Sequence, residues 1–436
     1  MLAKGLRRLV LITGLLIFVA CAFMVVYGYD FVTLPLLRNG FMKNEPSTAG
    51  NDISETHHEV FSVSTPDRKY FWIEFGEDAA MNPNILPHPT LHDTWIIVAQ
   101  EVKGSATAPS WFTELVCEAR FKKGRLACIK PPKILPIAAT TGDKCVGDLS
   151  YFGLNIGPHD ARVFYGPKSP YVIYGSNSVY TCFGQWIQDF RMLVGWPSEI
   201  IEGTQYRMAT ELRRPAPFGP VEKNWFIFWD KDGDAYVHYD IFPNRVFAKL
   251  EEDGSVGENL APLAMFNDQQ CMNMHMPRVA EQLESIHQAT NSLSITLCER
   301  SDLSCEPNDS NTYILTIFQH KSFYSFHSEY EPYVMLFEQT APFGIYGISS
   351  KPIWIHGRKA GEAVRPDGLE LEALDAWNQS EMFYVTSISW KSHGQEYHGY
   401  SNDVLFINFG IEDAQSGGID VVAGDLLEGL KLCSSV

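Results

Sequence analysis

The chain has 436 residues, more than one β-sandwich needs and enough for one large or two ordinary domains. Its formal charge of -18 excludes an ordinary nucleic-acid binder, which must present a basic face to phosphates, although a local basic pocket stays open. Aromatic residues make up 13% of the chain, which suits neutral sugars, whose C–H faces stack on rings.

The N-terminus reads as a membrane anchor. Lys4, Arg7 and Arg8 precede Leu9–Tyr29, an uncharged run long enough to span a bilayer. The basic flank places residues 1–8 in the cytosol and everything after Asp30 on the other side. Ala20–Cys21–Ala22 resembles a signal-peptidase site, but the apolar run continues through Phe23–Tyr27, so an uncleaved signal anchor over 9–29 is expected. Residues 30–57 read as a stem, polar and weakly patterned from Asn39 to His57, and 58–436 as the lumenal domain.

Of nine cysteines, Cys21 lies in the anchor, leaving an even eight in a compartment that permits disulfides. Cys298–Cys305, which closes a short loop, and Cys117–Cys128, which brackets a turn at Lys122–Gly124, are the expected pairs. No C-x2-C pair or matching His spacing suggests zinc. Asn308 and Asn378 each open a glycosylation sequon in loop-like sequence.

In chain order, strands are expected in Val60–Phe75, Thr94–Val102, the hairpin around Cys117–Cys128, Val163–Tyr165 and Tyr171–Tyr174. Asn82–Pro89 reads as a rigid proline-rich loop. Gln185–Val194 and Met208–Leu212 are shorter β candidates. Asn224–Trp229 and Asp234–Phe242 flank Asp230–Gly233 as a hairpin. Asp230, Asp232 and Asp234 look like a fragment of a calcium loop, but Ile241 stands where the twelfth-position Glu belongs, so a turn is expected. Val279, Leu283 and Ile286 recur at helical spacing and predict an internal helix over Pro277–Ile295. Strands return at Tyr313–Gln319, Tyr333–Glu338, Ile345–Ser349, Ile353–His356, Met382–Ser389 and Val404–Phe409, and Ile419–Leu432 ends the chain partly as a helix.

Many short strands with few helices suggest radial repetition. A polar cluster followed by a strand pair recurs at Asn84/His88, Asp160/Arg162, Lys223/Asn224, Tyr330/Glu331 and Tyr397/His398. Five clusters fit an all-β, five-bladed β-propeller with a few peripheral helices, each blade offering one loop to a central funnel.

Three segments resemble a known family. His159–Asp160–Ala161–Arg162, Glu222–Lys223–Asn224–Trp225 and Phe409–Gly410–Ile411–Glu412–Asp413 are similar, in order and spacing, to motifs of the five-bladed β-mannoside phosphorylases and hydrolases. The anchor, the Cys298–Cys305 segment and the tail Asp420–Cys433 look more like the fungal β-1,2-mannosyltransferases. The chain departs from the phosphorylase pattern at Ala161, where proline is usual, and at His159, where an acid is usual.

What this resemblance implies is an inverting glycosyl transfer in a Golgi lumen from GDP-mannose to an oligomannose acceptor, with no metal or other cofactor. Asp160 would handle the proton at the acceptor oxygen, and Arg162 would hold phosphate or a sugar hydroxyl. Lys223 and Asn224 would meet phosphate or hydroxyls, and Trp225 would be a sugar platform or a core ring. Tyr397 and His398, beside Gly399, suggest close approach of backbone to ligand. Asp413 would bind sugar hydroxyls, Lys321 and Arg358 are candidate pyrophosphate contacts, and Glu331 is a reserve carboxylate. The bland alternatives are a turn-capping Asp160 paired with Arg162, a structural His398 and a turn-capping Asp413. A membrane-anchored phosphorylase or hydrolase, and a non-catalytic glycan-binding propeller, are the competing functions.

Overall fold

A computed structural model describes residues 53–103, 110–196, 205–280, 283–324, 327–361 and 379–433. The expected tail, the anchor Leu9–Tyr29, the stem before residue 53, and Asn378 lie outside the described residues. Among the described residues, no helix is long and apolar enough to cross a membrane.

The described chain is mostly β. A four-residue helix, Ile53–Thr56, leads to β1 (His58–Val60) and β2 (Phe71–Glu74). Successive antiparallel meanders follow. The first contains β3 (Ala80–Pro87), β4 (Trp95–Glu101), β6 (Glu114–Lys122) and β7 (Arg125–Cys128), with the short side strand β8 (Lys133–Ile134), while β5 (Ser110–Trp111) pairs apart from it with β9 (Asn155–Ile156). After β9, the second contains β10 (His159–Tyr165), β11 (Pro170–Asn177), β12 (Phe183–Asp189) and β13 (Thr210–Glu211). The third is β14 (Phe226–Trp229), β15 (Ala235–Asp240) and β16 (Val246–Lys249). The fourth is built on β17 (Glu284–Gln288), β18 (Leu293–Thr296), β19 (Thr312–Tyr324), β20 (His327–Glu338) and β21 (Ile345–Ser349). β22 (Ile353–Ile355) runs parallel to β1. The last contains β23 (Phe383–Trp390), β25 (Val404–Ile411) and β26 (Gln415–Val422); β24 (His398–Tyr400) pairs with β18, and β27 (Leu430–Leu432) with β21.

The last meander is completed by the N-terminal strand. Phe71 pairs with Gly418 and Trp72 with Gly417, while Ile73 and Glu74 run parallel to Leu126 and Ala127 of β7. The two glycines are required by packing: a Cβ on Gly417 would lie 2.6 Å from the Phe409 ring, and one on Gly418 2.8 Å from the Phe71 ring.

Neighbouring meanders are stitched by buried side chains. Asn84 donates to Ala161 O (2.8 Å) and accepts from Val163 N (2.9 Å). Gln185 Oε1 accepts from Trp225 N at 3.4 Å. Gln288 Nε2 donates to His238 O at 3.0 Å. Asn291 grips both the N–H and the C=O of Ile388 (3.0 and 2.9 Å), and Gln319 does the same at Val385 (2.8 and 2.9 Å). Ser387 and Thr386 donate to Pro83 O (2.9 and 3.1 Å), which carries the series back to the first meander. Asn84, Asn291 and Gln319 each supply both the donor and the acceptor that a missing neighbour strand would have given.

Three sequence expectations are corrected. Pro277–Ile295 is not a helix: β17 and β18 occupy it, and Leu283 has φ 68° with its side chain 65% exposed, a conformation no helix tolerates. The helix is Met265–His275 instead, held by Cys271 and by Asp268, which pairs with Arg245 at 2.7 Å. Its apolar periodicity is weak because tertiary contacts fix it. Asn82–Pro89 is not a loop but largely β3; Pro83 is accommodated because the register slips between Met81 and Asn84. The chain end is helical only over Ala423–Leu426, after which β27 forms.

Cys117–Cys128 and Cys298–Cys305 are bonded as expected, and Cys145–Cys182 and Cys271–Cys433 complete the set.

Replacing Asn291 by Leu strands the buried N–H and C=O of Ile388. An unmade buried hydrogen bond costs about 1–3 kcal/mol, so urea unfolding should show a loss of roughly 2–4 kcal/mol with an unchanged denaturant slope.

Candidate functional site

The site begins with a distortion in β10. Its register with β11 slips between His159 and Arg162, and Asp160 sits at φ 49°, a left-handed conformation that costs a non-glycine residue on the order of 1 kcal/mol. The bulge leaves the Asp160 carboxylate exposed while Arg162, two residues on, is 5% exposed. The first meander holds this conformation. Asn82 Nδ2 donates to Asp160 Oδ1 (2.8 Å), Asp160 N donates to Gln100 Oε1 (3.0 Å), and Ala161 N donates to Glu114 Oε1 (3.1 Å). Asn82 is itself left-handed (φ 56°), and a Cβ on Gly410 would lie 2.4 Å from its Oδ1. Gly410 is thus the space in which Asn82 reaches Asp160.

Asp160, Arg162, Lys223 and Asn224 line one recess of about 70 Å³ with His159, Phe152 and Gln185. Asn224 is also left-handed, at φ 65°. Asp413 (φ 48°) and Lys321 stand close enough to act on this group. Partial burial raises the Asp413 carboxyl, and the negative charges of Asp160 and Glu412 add to the effect. Burial lowers the Lys321 ammonium, and Lys223 lowers it further. Tyr330 and Tyr384, with ring centroids 4.7 Å apart, both feel Asp160; burial raises both phenols, so they stay protonated.

The cations are the unusual feature. Among the described residues, none of Arg162, Lys223 and Lys321 has a carboxylate within ion-pair distance. Arg162 bonds only neutral groups, Ala289 O (3.1 Å) and Gln185 Oε1 (3.4 Å). Burial lowers its guanidinium to about 10, so it remains charged at neutral pH. The two nearby imidazoles add no charge: burial lowers His159 to about 4, against the pull of Asp160, and burial with Lys321 and Lys223 lowers His287 to about 4. Unpaired cations facing a recess beside a carboxylate suit an anionic ligand portion next to a proton acceptor.

Glu114 was not among the residues singled out from sequence. It is fully buried, its Oε2 has no hydrogen-bond partner, and burial holds its carboxyl well above the ordinary range, with Asp160 adding to the rise. Asn82, Gln100, Tyr330, Tyr384 and His287 were likewise not chosen as site residues. Asn82, in an Asn-Pro-Asn run, and Tyr330, in a polar cluster with Glu331, left local signals.

Other residues singled out from sequence lie elsewhere. Trp225 is a core ring, 1% exposed against Tyr239. Tyr397 is 5% exposed, and its hydroxyl is bonded to Ser292 Oγ (2.9 Å) and Trp229 N (3.3 Å). His398 Nε2 is bonded to Thr296 Oγ1 at 2.8 Å. Gly399 reflects packing on Trp390, whose ring would lie 2.4 Å from a Cβ. Glu331 follows Tyr330 in β20 and so faces the opposite way; burial raises its carboxyl, but Arg358 at 3.2 Å and His57 at 2.9 Å reverse this and hold it low. Arg358 is buried in that pair over the Trp354 ring.

A cavity of 1020 Å³ lies away from this recess. Its walls come from the Asp230–Gly233 turn and from Ser392–His398. β14 (Phe226–Trp229) follows Asn224 at the recess and ends before that turn, and β23 (Phe383–Trp390) begins beside Tyr384 and ends before Ser392, so the cavity opens at the other end of the strands. Two ion pairs line it, Arg300 with Asp403 at 2.6 Å and Lys231 with Asp232 at 3.0 Å. Asn308, exposed in its turn, lies at that end too. Among the described residues, no cluster of three or more His, Cys, Asp or Glu could hold a metal ion.

Glu114 sets a pH test. Its ordinary value is about 4.5 and its folded value lies well above that. Between the two, the unfolded chain has lost a proton that the folded chain keeps, so stability falls as pH rises through this window. Glu114→Gln removes the fall: melting temperatures measured from pH 5 to 8 should decline less steeply than in the wild type.

No family model matches the sequence, and no curated protein matches it. Among solved structures, the chain is similar to a β-1,2-mannobiose phosphorylase from Listeria innocua, with 10% identity, 85% of this chain and 96% of that chain covered, and a TM-score of 0.41. It is also similar to MPT-1, a GDP-Man-dependent mannosyltransferase from Leishmania mexicana, with 10% identity, 81% and 89% covered, and a TM-score of 0.40. The catalytic domain of a GH62 α-L-arabinofuranosidase from Coprinopsis cinerea is similar at 10% identity, 84% and 96% covered, and a TM-score of 0.37.

Proposed function

We propose that this chain is an inverting glycosyltransferase that adds β-linked mannose, β-1,2 in the first instance, from GDP-mannose to oligomannose or mannan acceptors. The observation that carries the reading is the Asp160 carboxylate on its bulge beside Arg162, Lys223 and Lys321, cations with no carboxylate partner among the described residues. The reading also takes the stitched meanders as the blades of a five-bladed β-propeller, with the recess at the funnel end of its axis. It keeps Leu9–Tyr29 as a type II Golgi anchor, the domain in the lumen, and Asn308 and Asn378 as glycan acceptors.

In this reading an acceptor hydroxyl gives its proton to Asp160 as its oxygen bonds to C1 of the donor mannose. The C1–O bond to the diphosphate breaks on the opposite face, and GDP leaves with that electron pair. Inversion at C1 turns an α-linked donor into a β-linked product. Arg162, Lys223 and Lys321 hold the charge that grows on the departing diphosphate. Asn224 and the protonated Tyr330 and Tyr384 donate to sugar hydroxyls, and Asp413 accepts from them. No step is routed through a metal ion.

A second reading, an anchored β-mannoside phosphorylase, draws on the same cations, which would suit inorganic phosphate as well as a diphosphate. Incubation with GDP-mannose and mannobiose separates the two: the transferase yields product from the nucleotide sugar, the phosphorylase only from mannose-1-phosphate. Asp160→Asn should lower kcat by at least about 100-fold with little change in either KM. Binding without turnover, unchanged in Asp160→Asn, would leave a glycan-binding protein.

Lys223 is exposed, so Lys223→Ala leaves the core intact. It should raise the KM for GDP-mannose by roughly tenfold, the effect of one charge-assisted contact, and leave the acceptor KM unchanged in initial-rate assays.

A further inference from the structure

Beside the recess lies an aromatic shelf. Residues Gly147–Leu154 form a 3₁₀ helix between two anchors. Cys145 is bonded to Cys182 at its start, and Asn177 Nδ2 donates to Asn155 O (2.8 Å) at its end. Phe152 lines the recess with Asp160, and its ring lies 5.5 Å from Phe183. Tyr151 stacks on Phe152 at 4.4 Å and 29°, continuing the aromatic surface outward, and is 39% exposed. The Tyr151 hydroxyl has no hydrogen-bond partner among the described residues.

The recess itself is small. Ligand pockets commonly measure about 300–1,000 Å³, and this one is about 70 Å³. A sugar whose reacting hydroxyl meets Asp160 must therefore extend past the recess wall, and Phe152 is part of that wall. Tyr151 and Phe152 together offer one apolar ring face with a free phenol at its edge. That matches a pyranose, which has a C–H face and equatorial hydroxyls at its rim.

We propose that Tyr151 and Phe152 form the subsite for the next sugar ring of an oligosaccharide acceptor, one residue away from the ring that reacts at Asp160. The assignment rests on the transferase reading for its orientation and explains why an oligosaccharide would be preferred to a single sugar. The disulfide to Cys182 keeps the shelf at a fixed distance from Phe183 and so from the recess.

The test uses the full-length chain in detergent, as wild type, Tyr151→Ala and Tyr151→Phe, with Leu303→Ala as the exposed control from the far end. Initial rates are measured with mannose, mannobiose and mannotriose as acceptors, and binding of the same sugars by calorimetry. Tyr151→Ala should raise the KM for the two oligosaccharides about tenfold while leaving that for mannose and for GDP-mannose unchanged; Tyr151→Phe, which keeps the ring face and loses the phenol, should raise it by a smaller factor, and Leu303→Ala should match wild type. An equal change for all acceptors, or none for any, overturns the subsite. If wild type shows no turnover, oligosaccharide binding that is lost in Tyr151→Ala keeps the shelf and removes the transferase reading. Equal binding by both removes the shelf, and no binding by wild type removes both.

Discussion

The structure depends on how strands that cannot bond to each other are nevertheless joined. Where adjacent meanders meet without a backbone ladder, inward-facing backbone groups would be buried and unpaired. Buried Asn, Gln and hydroxyl side chains fill that role, most completely where Asn291 and Gln319 each meet both the donor and the acceptor of one residue. The same device shapes the candidate site. Asn84 bonds Ala161 O and Val163 N, Asn82 bonds the Asp160 carboxylate, and Gln100 and Glu114 bond the two N–H groups between. One face of the first meander therefore both joins the second and holds its bulge open.

The electrostatics of the recess run against those of the whole. A protein of formal charge -18 has ample carboxylate to neutralise any lysine or arginine, and most of its buried cations are neutralised: Arg191 by Asp189 at 2.6 Å, Arg245 by Asp268 at 2.7 Å. Arg162 is as buried as these and has only amide oxygens around it. Retaining a desolvated guanidinium without a counter-ion destabilises the empty protein. An anionic ligand would supply what is missing. The neighbouring imidazoles stay neutral and so add nothing to the positive field of Arg162, Lys223 and Lys321.

Much of the β architecture was legible because aromatic and β-branched runs such as Phe226–Trp229 and Val404–Ile411 leave little alternative to strands. The internal helix was misread because Val279, Leu283 and Ile286 match helical spacing by chance, while the real helix is fixed by a disulfide and an ion pair that no local pattern records. Short-loop disulfides could be named from spacing; Cys145–Cys182 and Cys271–Cys433, separated by 37 and 162 residues, could not. At the site, Asp160, Arg162, Lys223 and Asn224 could be singled out because two motifs hold them, and the fold brings Asp413 and Lys321 beside them. Glu331 was drawn in by its neighbour Tyr330, and the two-residue period of the strand turns it away. Gly399 suggested ligand approach, whereas the space it leaves belongs to the Trp390 ring. Glu114 and Gln100 act through backbone N–H groups, so nothing in their own sequence context marks them.

The strand Phe71–Glu74 gives the molecule an order of assembly. Its Ile73–Glu74 half lies against Leu126–Ala127 and can dock as soon as the ribosome has delivered the first meander. Its Phe71–Trp72 half pairs with Gly417–Gly418, which leave the ribosome long after it. During translation the first half of the strand is an occupied berth and the second a vacant one, held at the right place for a partner that does not yet exist. A nascent chain that stops short of residue 418 keeps that berth empty and its hydrogen-bonding edge bare, the kind of surface that chaperones cover.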